Sequence, residues 1–178
     1  MNVFAIRHGE TVWSLSGQHT RTTDIPLTDN GRRLAEQIRP MLAREAFALV
    51  LCSPMQRARK TCELAGLAHR AVIDADLAEW NYGEYEGLTP KQIHENAPGW
   101  LIFRDGCPSG EAPEQVGARV DRVIARARAA EGDVALLEYA LREGESLVIR
   151  HETEEIQLTR EEPCAVRLVS SGKEVIVV

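Results

Sequence analysis

The sequence predicts an α/β fold: a three-layer sandwich with a mostly parallel sheet flanked by helices. Short apolar runs are typical of buried strands. Such runs cover residues 3–6, 46–52, 71–73 and 134–137. Apolar side chains at three- and four-residue spacing predict helices between them, at residues 31–45, 54–65, 90–95 and 114–130. Strands that alternate with helices form parallel sheets, because each crossover returns the chain to the same edge.

The helix ends have recognisable signals. Thr28 and Asp29 are of the residue types that cap a helix start, so they are expected to begin the first helix. Ser53 is predicted to cap the second helix, with Pro54 as its first residue. Gly66 is expected to end that helix, since glycine adopts the left-handed conformation common at helix ends.

Composition and charge exclude several classes of function. The chain has 178 residues and a net charge of −6, so nucleic acid is not expected as a partner. No run of 18 apolar residues and no signal peptide are recognised, so a cytoplasmic protein without a membrane partner is expected. The four cysteines lack the C-x-x-C spacing of zinc or redox sites, so neither a metal nor a cofactor is predicted.

An Arg-His-Gly cluster directly follows the first predicted strand. Arg7 offers a planar set of donors that matches a phosphoryl group, and neutral His8 is a nucleophile or base. Gly9 allows the backbone to approach a bound group closely. In an α/β sheet, ligands bind at the carboxyl ends of the strands. In isolation the cluster is more typical of a solvated strand end, so its interpretation depends on other residues.

Two further stretches carry residues suited to phosphate chemistry. Arg57 is expected in the first turn of the helix after the second strand, where helix and side chain both attract anions. Glu79, Glu84 and Glu86 lie among aromatic residues, where a carboxyl group can keep its proton and act as general acid. Spacing alone does not distinguish between these three carboxylates.

Residues 12–28 form a long polar connection that could line the mouth of a pocket or simply be a solvated loop. Both interpretations remain open for its polar side chains. These are Ser14, His19, Thr20 and Arg21.

Four motifs in order give the chain a resemblance to a known family. They are Arg7-His8-Gly9-Glu10-Thr11, Asp24-Ile25-Pro26-Leu27-Thr28, Ser53-Pro54-Met55-Gln56-Arg57-Ala58-Arg59, and Glu79 with Tyr82-Gly83-Glu84-Tyr85-Glu86-Gly87. With these motifs, residues 1–137 resemble the histidine phosphatase superfamily, whose branches include phosphoglycerate mutases and small-molecule phosphatases.

The resemblance implies a role for each matching residue. It implies that His8 is the phosphorylated nucleophile and that Arg7 and Arg57 bind the phosphoryl oxygens. Glu79 would be the general acid, and later the base that activates water. Ser14 and Thr20 fall where the family contacts substrate or phosphate. Ser14 replaces an asparagine of the mutases and Arg21 a glycine, which leaves the substrate open.

Residues 138–178 depart from the family. Its second catalytic histidine would fall at Tyr139, and only His151 in the segment offers another imidazole. Four short β-type runs predict a small antiparallel β segment in place of the family's usual C-terminal part. The segment faintly resembles the carbon storage regulator family of RNA-binding β proteins, yet it has nine Glu against five Arg and Lys. It is expected to be a separate tail of uncertain identity.

Two hypotheses follow. The first is a phosphomonoesterase that acts on a small phosphorylated substrate through phospho-His8, with activity weakened by the loss of the second histidine. The second is a non-catalytic phosphate-binding or RNA-associated protein. A homodimer is kept as an expectation, because a truncated sheet could leave an edge for a second chain.

Overall fold

The computed structural model describes residues 2–138 in full, and beyond them the backbone of four strands within residues 146–177. One sheet has six strands in the order β3-β2-β4-β1-β8-β7. A separate antiparallel pair is formed by β5 and β6. The strands are β1 (Val3–Ile6), β2 (Phe47–Cys52), β3 (Ala71–Ile73), β4 (Asp133–Leu137), β5 (Ser146–His151), β6 (Glu154–Thr159), β7 (Val166–Ser170) and β8 (Lys173–Val177).

Seven α-helices lie between the strands in the described part of the chain. They are α1 (Val12–Ser16), α2 (Asp29–Gln37), α3 (Arg39–Leu42), α4 (Gln56–Leu64), α5 (Pro90–Asn96), α6 (Ile102–Asp105) and α7 (Pro113–Ala129). Short 3-10 turns cover Ala68–Arg70, Ala75–Leu77 and Gly83–Tyr85. The predicted α/β class, with a mostly parallel sheet flanked by helices, is therefore confirmed.

The predicted helix over residues 31–45 is interrupted. The structure has two helices there, α2 and α3, which are separated at Ile38. Pro40 explains the break, because it has no N–H to donate to the preceding turn and so is tolerated only near the start of a helix. The expected cap at Thr28 is confirmed, since its hydroxyl accepts from the Gly31 N–H at 3.0 Å.

The predicted start of the second helix was wrong by two residues. Helix α4 begins at Gln56, and neither Ser53 as cap nor Pro54 as first residue belongs to it. A carboxylate from a distant loop caps this helix instead, because Asp24 Oδ1 accepts from the Gln56 N–H at 2.8 Å. The Gln56 side-chain amide also donates to the Asp24 carbonyl.

The two faces of the sheet are covered by different helices. On one face, Val50 and Cys52 of β2 pack with Ala58 and Cys62 of α4. On the other face, Leu51 of β2 packs with Val123 of α7. Because alternate residues of a strand point to opposite faces, this packing produces the three layers that the sequence predicts.

The last two strands connect the C-terminal segment to the main sheet. β8 pairs in parallel with β1, and β7 pairs antiparallel with β8. The sheet therefore continues across the boundary expected at residue 137, and the division into two units stays a prediction. None of the helices in the described residues is long and apolar enough to cross a bilayer.

Two glycines let the loop after β1 lie directly against the start of α2. A Cβ atom at Gly31 would lie 2.3 Å from the Glu10 carbonyl oxygen, and one at Gly9 would lie 2.5 Å from the Gly31 oxygen. Both contacts are backbone to backbone, so no side chain can move away to relieve them. This close approach positions the residues that follow β1.

We predict that Gly31→Ala lowers the free energy of unfolding by about 1–3 kcal/mol, because the new methyl group overlaps the Glu10 backbone. The matched control is Gly117→Ala on α7, where a Cβ atom would meet nothing within 4 Å. This change should stabilise by about 0.5–1 kcal/mol, since alanine favours a helix interior. Urea unfolding measures both, and similar effects of the two changes would contradict the packing argument.

Candidate active site

The carboxyl ends of three neighbouring strands bring polar residues to one edge of the sheet. Arg7 and His8 follow β1, Ser53 follows β2, and Glu138 follows β4. The backbone ladder continues into these residues, since the Ser53 N–H donates to the Leu137 carbonyl and the Glu138 N–H to the Ile6 carbonyl, both at 3.0 Å. The ends of the strands are therefore held in register where the polar residues begin.

The ring of His8 is oriented by its own loop. Its Nδ1 lies 2.7 Å from the Gly9 carbonyl oxygen. Because a carbonyl only accepts hydrogen bonds, Nδ1 must carry the proton in this contact. In the neutral ring, Nε2 then has a free lone pair, and this atom is available for nucleophilic attack.

The surroundings of His8 keep the ring neutral. Burial lowers its pKa from 6.5 to about 3, and the positive charges of Arg57 and Arg7 act in the same direction. The hydrogen bond to Gly9 opposes this shift only in part. The structure thus has an uncharged imidazole beside two guanidinium groups.

Arg57 is almost completely buried, with 1% of its surface exposed. Its Nη2 donates to the Glu138 carboxylate, and also to the Thr20 carbonyl at 3.3 Å. Its Nε and Nη1 have no hydrogen-bond partner within the part of the chain that the structure describes. A buried guanidinium with unused donors suits an oxyanion ligand.

Thr61 connects the histidine loop to the arginine helix, a function that sequence reasoning missed. Its buried hydroxyl accepts from the Gly9 N–H at 2.9 Å and donates to the Arg57 carbonyl at 2.8 Å. Because Thr61 is one helical turn after Arg57, it faces the same side of α4. That spacing is the signal that could have indicated it.

Glu138 is a second residue that sequence reasoning missed. Its side chain is buried, with 2% exposed, and forms an ion pair with Arg57. Burial raises the pKa of this carboxyl to about 7, although Arg57 opposes the shift, and the nearby charge of Glu79 raises it further. The signal in the sequence was a carboxylate directly after the apolar run of β4.

The three carboxylates left open by the sequence now have distinct surroundings. Glu86 binds the backbone N–H groups of Arg21 and Thr23 through Oε1, at 2.8 and 2.9 Å, and so shapes the loop. Glu84 accepts from the Ser109 hydroxyl at 2.8 Å. Glu79, half-buried, is the one of the three that acts electrostatically on Glu138.

The polar loop residues differ in their contacts. The Ser14 hydroxyl takes part in the capping box of α1, where it accepts from the Thr11 N–H at 2.8 Å. The Thr20 carbonyl accepts a hydrogen bond from Arg57 Nη2 at 3.3 Å. The buried ring of His19 stacks on Tyr82, with ring centroids 4.1 Å apart. Substrate contacts by Ser14 and Thr20 stay predictions.

Two residues were considered in place of the missing histidine. Tyr139 lies outside the described residues, and of His151 only the backbone of strand β5 is described. No cluster of three metal-ligating side chains occurs within residues 2–138.

The surface has a wide depression of about 720 Å³, whose lining does not include Arg7, His8, Arg57 or Glu79. It is lined in part by basic side chains of α2 and α4. The chemistry at the strand ends, and not the size of this depression, identifies the candidate site.

The chain is similar in sequence to two phosphatases. An acid phosphatase of Mycobacterium tuberculosis is 47% identical over 68% of this chain and 61% of its own length. Sedoheptulose 1,7-bisphosphatase of Saccharomyces cerevisiae is 38% identical over 68% of this chain and 53% of its own. The chain thus spans less than two thirds of the length of these relatives.

Solved structures agree with the fold. The product of an open reading frame of Mycobacterium tuberculosis is 42% identical, with a TM-score of 0.71 over 76% of this chain and 72% of its own. A mycobacterial glucosyl-3-phosphoglycerate phosphatase, solved with VO3, is 27% identical with a TM-score of 0.66 over 76% of this chain and 74% of its own. The family model of the histidine phosphatase superfamily (branch 1) matches residues 3–139. The chain therefore belongs to the histidine phosphatase superfamily.

Proposed function

We propose that this protein is a phosphomonoesterase in which His8 is phosphorylated during turnover. The observation that carries the proposal is the orientation of His8, whose Nδ1 is engaged by the Gly9 carbonyl so that Nε2 keeps its lone pair. The ring is neutral because burial and two guanidinium groups lower its pKa. An uncharged nucleophile next to cations is the arrangement required to attack an anionic phosphate ester.

The reaction has two steps. In the first, Arg7 and Arg57 hold the phosphoryl oxygens while His8 Nε2 attacks phosphorus. The ester P–O bond breaks, and the Glu79 carboxyl group donates a proton to the leaving oxygen. In the second, the Glu79 carboxylate takes a proton from water, which attacks phosphorus. The N–P bond breaks, and inorganic phosphate leaves.

The bridge through Thr61 supports this assignment of roles. One hydroxyl fixes both the loop of His8 and the backbone of Arg57. Nucleophile and phosphate-binding group therefore keep a constant relative position, which is how an active site avoids the entropic cost of aligning them.

The substrate class is a small phosphorylated metabolite. The relatives support it, since an acid phosphatase and a bisphosphatase of a sugar are among them. We expect slow turnover, because Tyr139 has no positive charge to stabilise the transition state as a second histidine would. A cytoplasmic location and a homodimer stay predictions.

A second candidate function is phosphate-ligand binding without turnover. It is favoured by Tyr139, which stands in the sequence where the family has its second catalytic histidine. Turnover above the buffer background that depends on His8 would exclude this candidate.

We expect His8→Ala to reduce hydrolysis of p-nitrophenyl phosphate by about a thousandfold or to background, because the nucleophile is lost. The matched control is His69→Ala, since His69 is exposed in the 3-10 turn before β3, at the opposite edge of the sheet. Rapid quenching in base should also trap an acid-labile phosphoenzyme in the parent and not in His8→Ala. Equal rates for His8→Ala and parent would refute the proposal.

The lowered pKa of His8 predicts how the ring responds to pH. Since the folded-state pKa is about 3 and the unfolded value 6.5, the unfolded chain binds more protons between these values. The contribution of His8 to stability is therefore complete above about pH 6.5 and lost as the pH falls towards 3. Ring resonances assigned with a His8→Gln variant should show no titration between about pH 5 and 8. A midpoint near 6.5 would contradict the structure.

A further inference from the structure

Glu138 lies in an unusual position for a charged residue. It follows β4 directly, and its N–H is held by the Ile6 carbonyl at 3.0 Å, so its backbone is part of the sheet. Its φ of +134° is strained for a side chain other than glycine. Within the described residues, Ser109 is the other non-glycine with positive φ. The surrounding structure thus holds Glu138 in place against its backbone preference.

The ion pair with Arg57 leaves polar atoms unsatisfied. Glu138 Oε2, Arg57 Nε and Arg57 Nη1 are buried, and residues 2–138 provide no hydrogen-bond partner for them. A bidentate contact between the carboxylate and the guanidinium would satisfy more of these atoms. The contact is therefore incomplete, and the guanidinium retains N–H groups that can donate hydrogen bonds to an oxyanion.

Among the described residues, several elements contribute groups that act on Glu138. Against the effect of burial, the charge of Arg57 on α4 and the hydroxyl of Ser53 after β2 lower the pKa of Glu138, and the charge of Glu79 raises it. The pKa of the Cys52 thiol at the end of β2 is raised mainly by its interaction with Cys62 and by burial, and the charge of Glu138 adds to this shift. The positive charge of Arg7 lies at the end of the adjacent strand β1.

A phosphoryl dianion bound at Arg57 would meet this set of charges. With Glu138 ionised, one guanidinium would be shared between a carboxylate and the dianion, with Glu79 nearby, and the negative charges would repel one another at low dielectric. Uptake of one proton by Glu138 removes this conflict. Burial and Glu79 already raise the pKa of Glu138 to about 7, so such uptake is accessible near neutral pH.

We propose that Glu138 is an internal competitor of the phosphoryl group, and that an oxyanion binds to Arg57 only after Glu138 has taken up one proton. The inference rests on the proposed phosphate site and adds a regulator to it. Glu138 acts through Arg57 and is a positioning residue. Oxyanion binding is then coupled to protonation, and the site favours anions on the acid side of neutrality.

Sulfate is a suitable probe, because it carries two charges throughout the range of about pH 5.5–8.5 and does not itself titrate there. Titration calorimetry across this range should show nearly constant affinity below the Glu138 midpoint. Above it, the affinity of the parent should fall by about tenfold per pH unit. The Glu138→Gln variant keeps the shape of the side chain without its charge, so its affinity should be independent of pH.

A matched control is Glu111→Gln, which removes the charge from another partly buried carboxylate paired with an arginine, Arg119. This variant should keep the pH dependence of the parent. At about pH 8.5, Glu138→Gln should bind sulfate at least tenfold more tightly than the parent or Glu111→Gln does. If Glu138 had only a structural role, the Glu138→Gln variant would differ from the parent in thermal stability. Its sulfate affinity would then depend on pH as steeply as that of the parent.

A second measurement uses the unmodified protein and does not depend on the variant's folding. Calorimetry at about pH 8 in two buffers with different ionisation enthalpies should reveal uptake of about one proton per sulfate. Absence of uptake, or the same pH slope in parent and Glu138→Gln, would overturn the role of Glu138 alone. No sulfate binding by either protein at any pH would overturn the phosphate site as well.

Discussion

Parallel pairing of β1 with β4 is the constraint on which the site depends. Ile6 lies opposite Leu137 in this pairing, so the residues that follow both strands emerge side by side. A shift of one residue would turn His8 to the other face of the sheet, because successive side chains of a strand point in opposite directions. Buried apolar residues on both faces of the sheet fix this register. The chemistry at the edge is thus a consequence of packing in the core.

Charge balance is the second constraint. A guanidinium that is 99% buried needs a compensating anion, and Glu138 supplies it in the structure described. Ion pairs of this kind contribute little net stability, yet removing one partner is costly because the other charge stays buried. The same arginine must also be available to substrate if the protein is a phosphatase. Structural compensation and ligand binding therefore compete for one side chain.

Motif spacing predicts much of the fold and part of the site. The strands at 3–6 and 71–73 and the helix at 114–130 are confirmed closely because their apolar patterns are local. The start of α4 was not predictable, since its cap Asp24 is 32 residues away. Glu138 and Thr61 were missed for a similar reason: their roles exist only through contacts with Arg57 and Gly9. The roles that the resemblance implies, general acid for Glu79 and phosphoryl binding for Arg7, stay predictions.

Capping of α4 by Asp24 has a mechanical consequence. The Gln56 N–H and its side-chain amide both hold the Asp24 residue, and the Thr20 carbonyl of the same loop contacts Arg57. The loop that contains Thr20 and Asp24 is therefore joined to helix α4 at two places. A ligand that displaces this loop would therefore also displace the Arg57 guanidinium. Opening of the loop and the affinity of Arg57 for an anion are coupled through these hydrogen bonds.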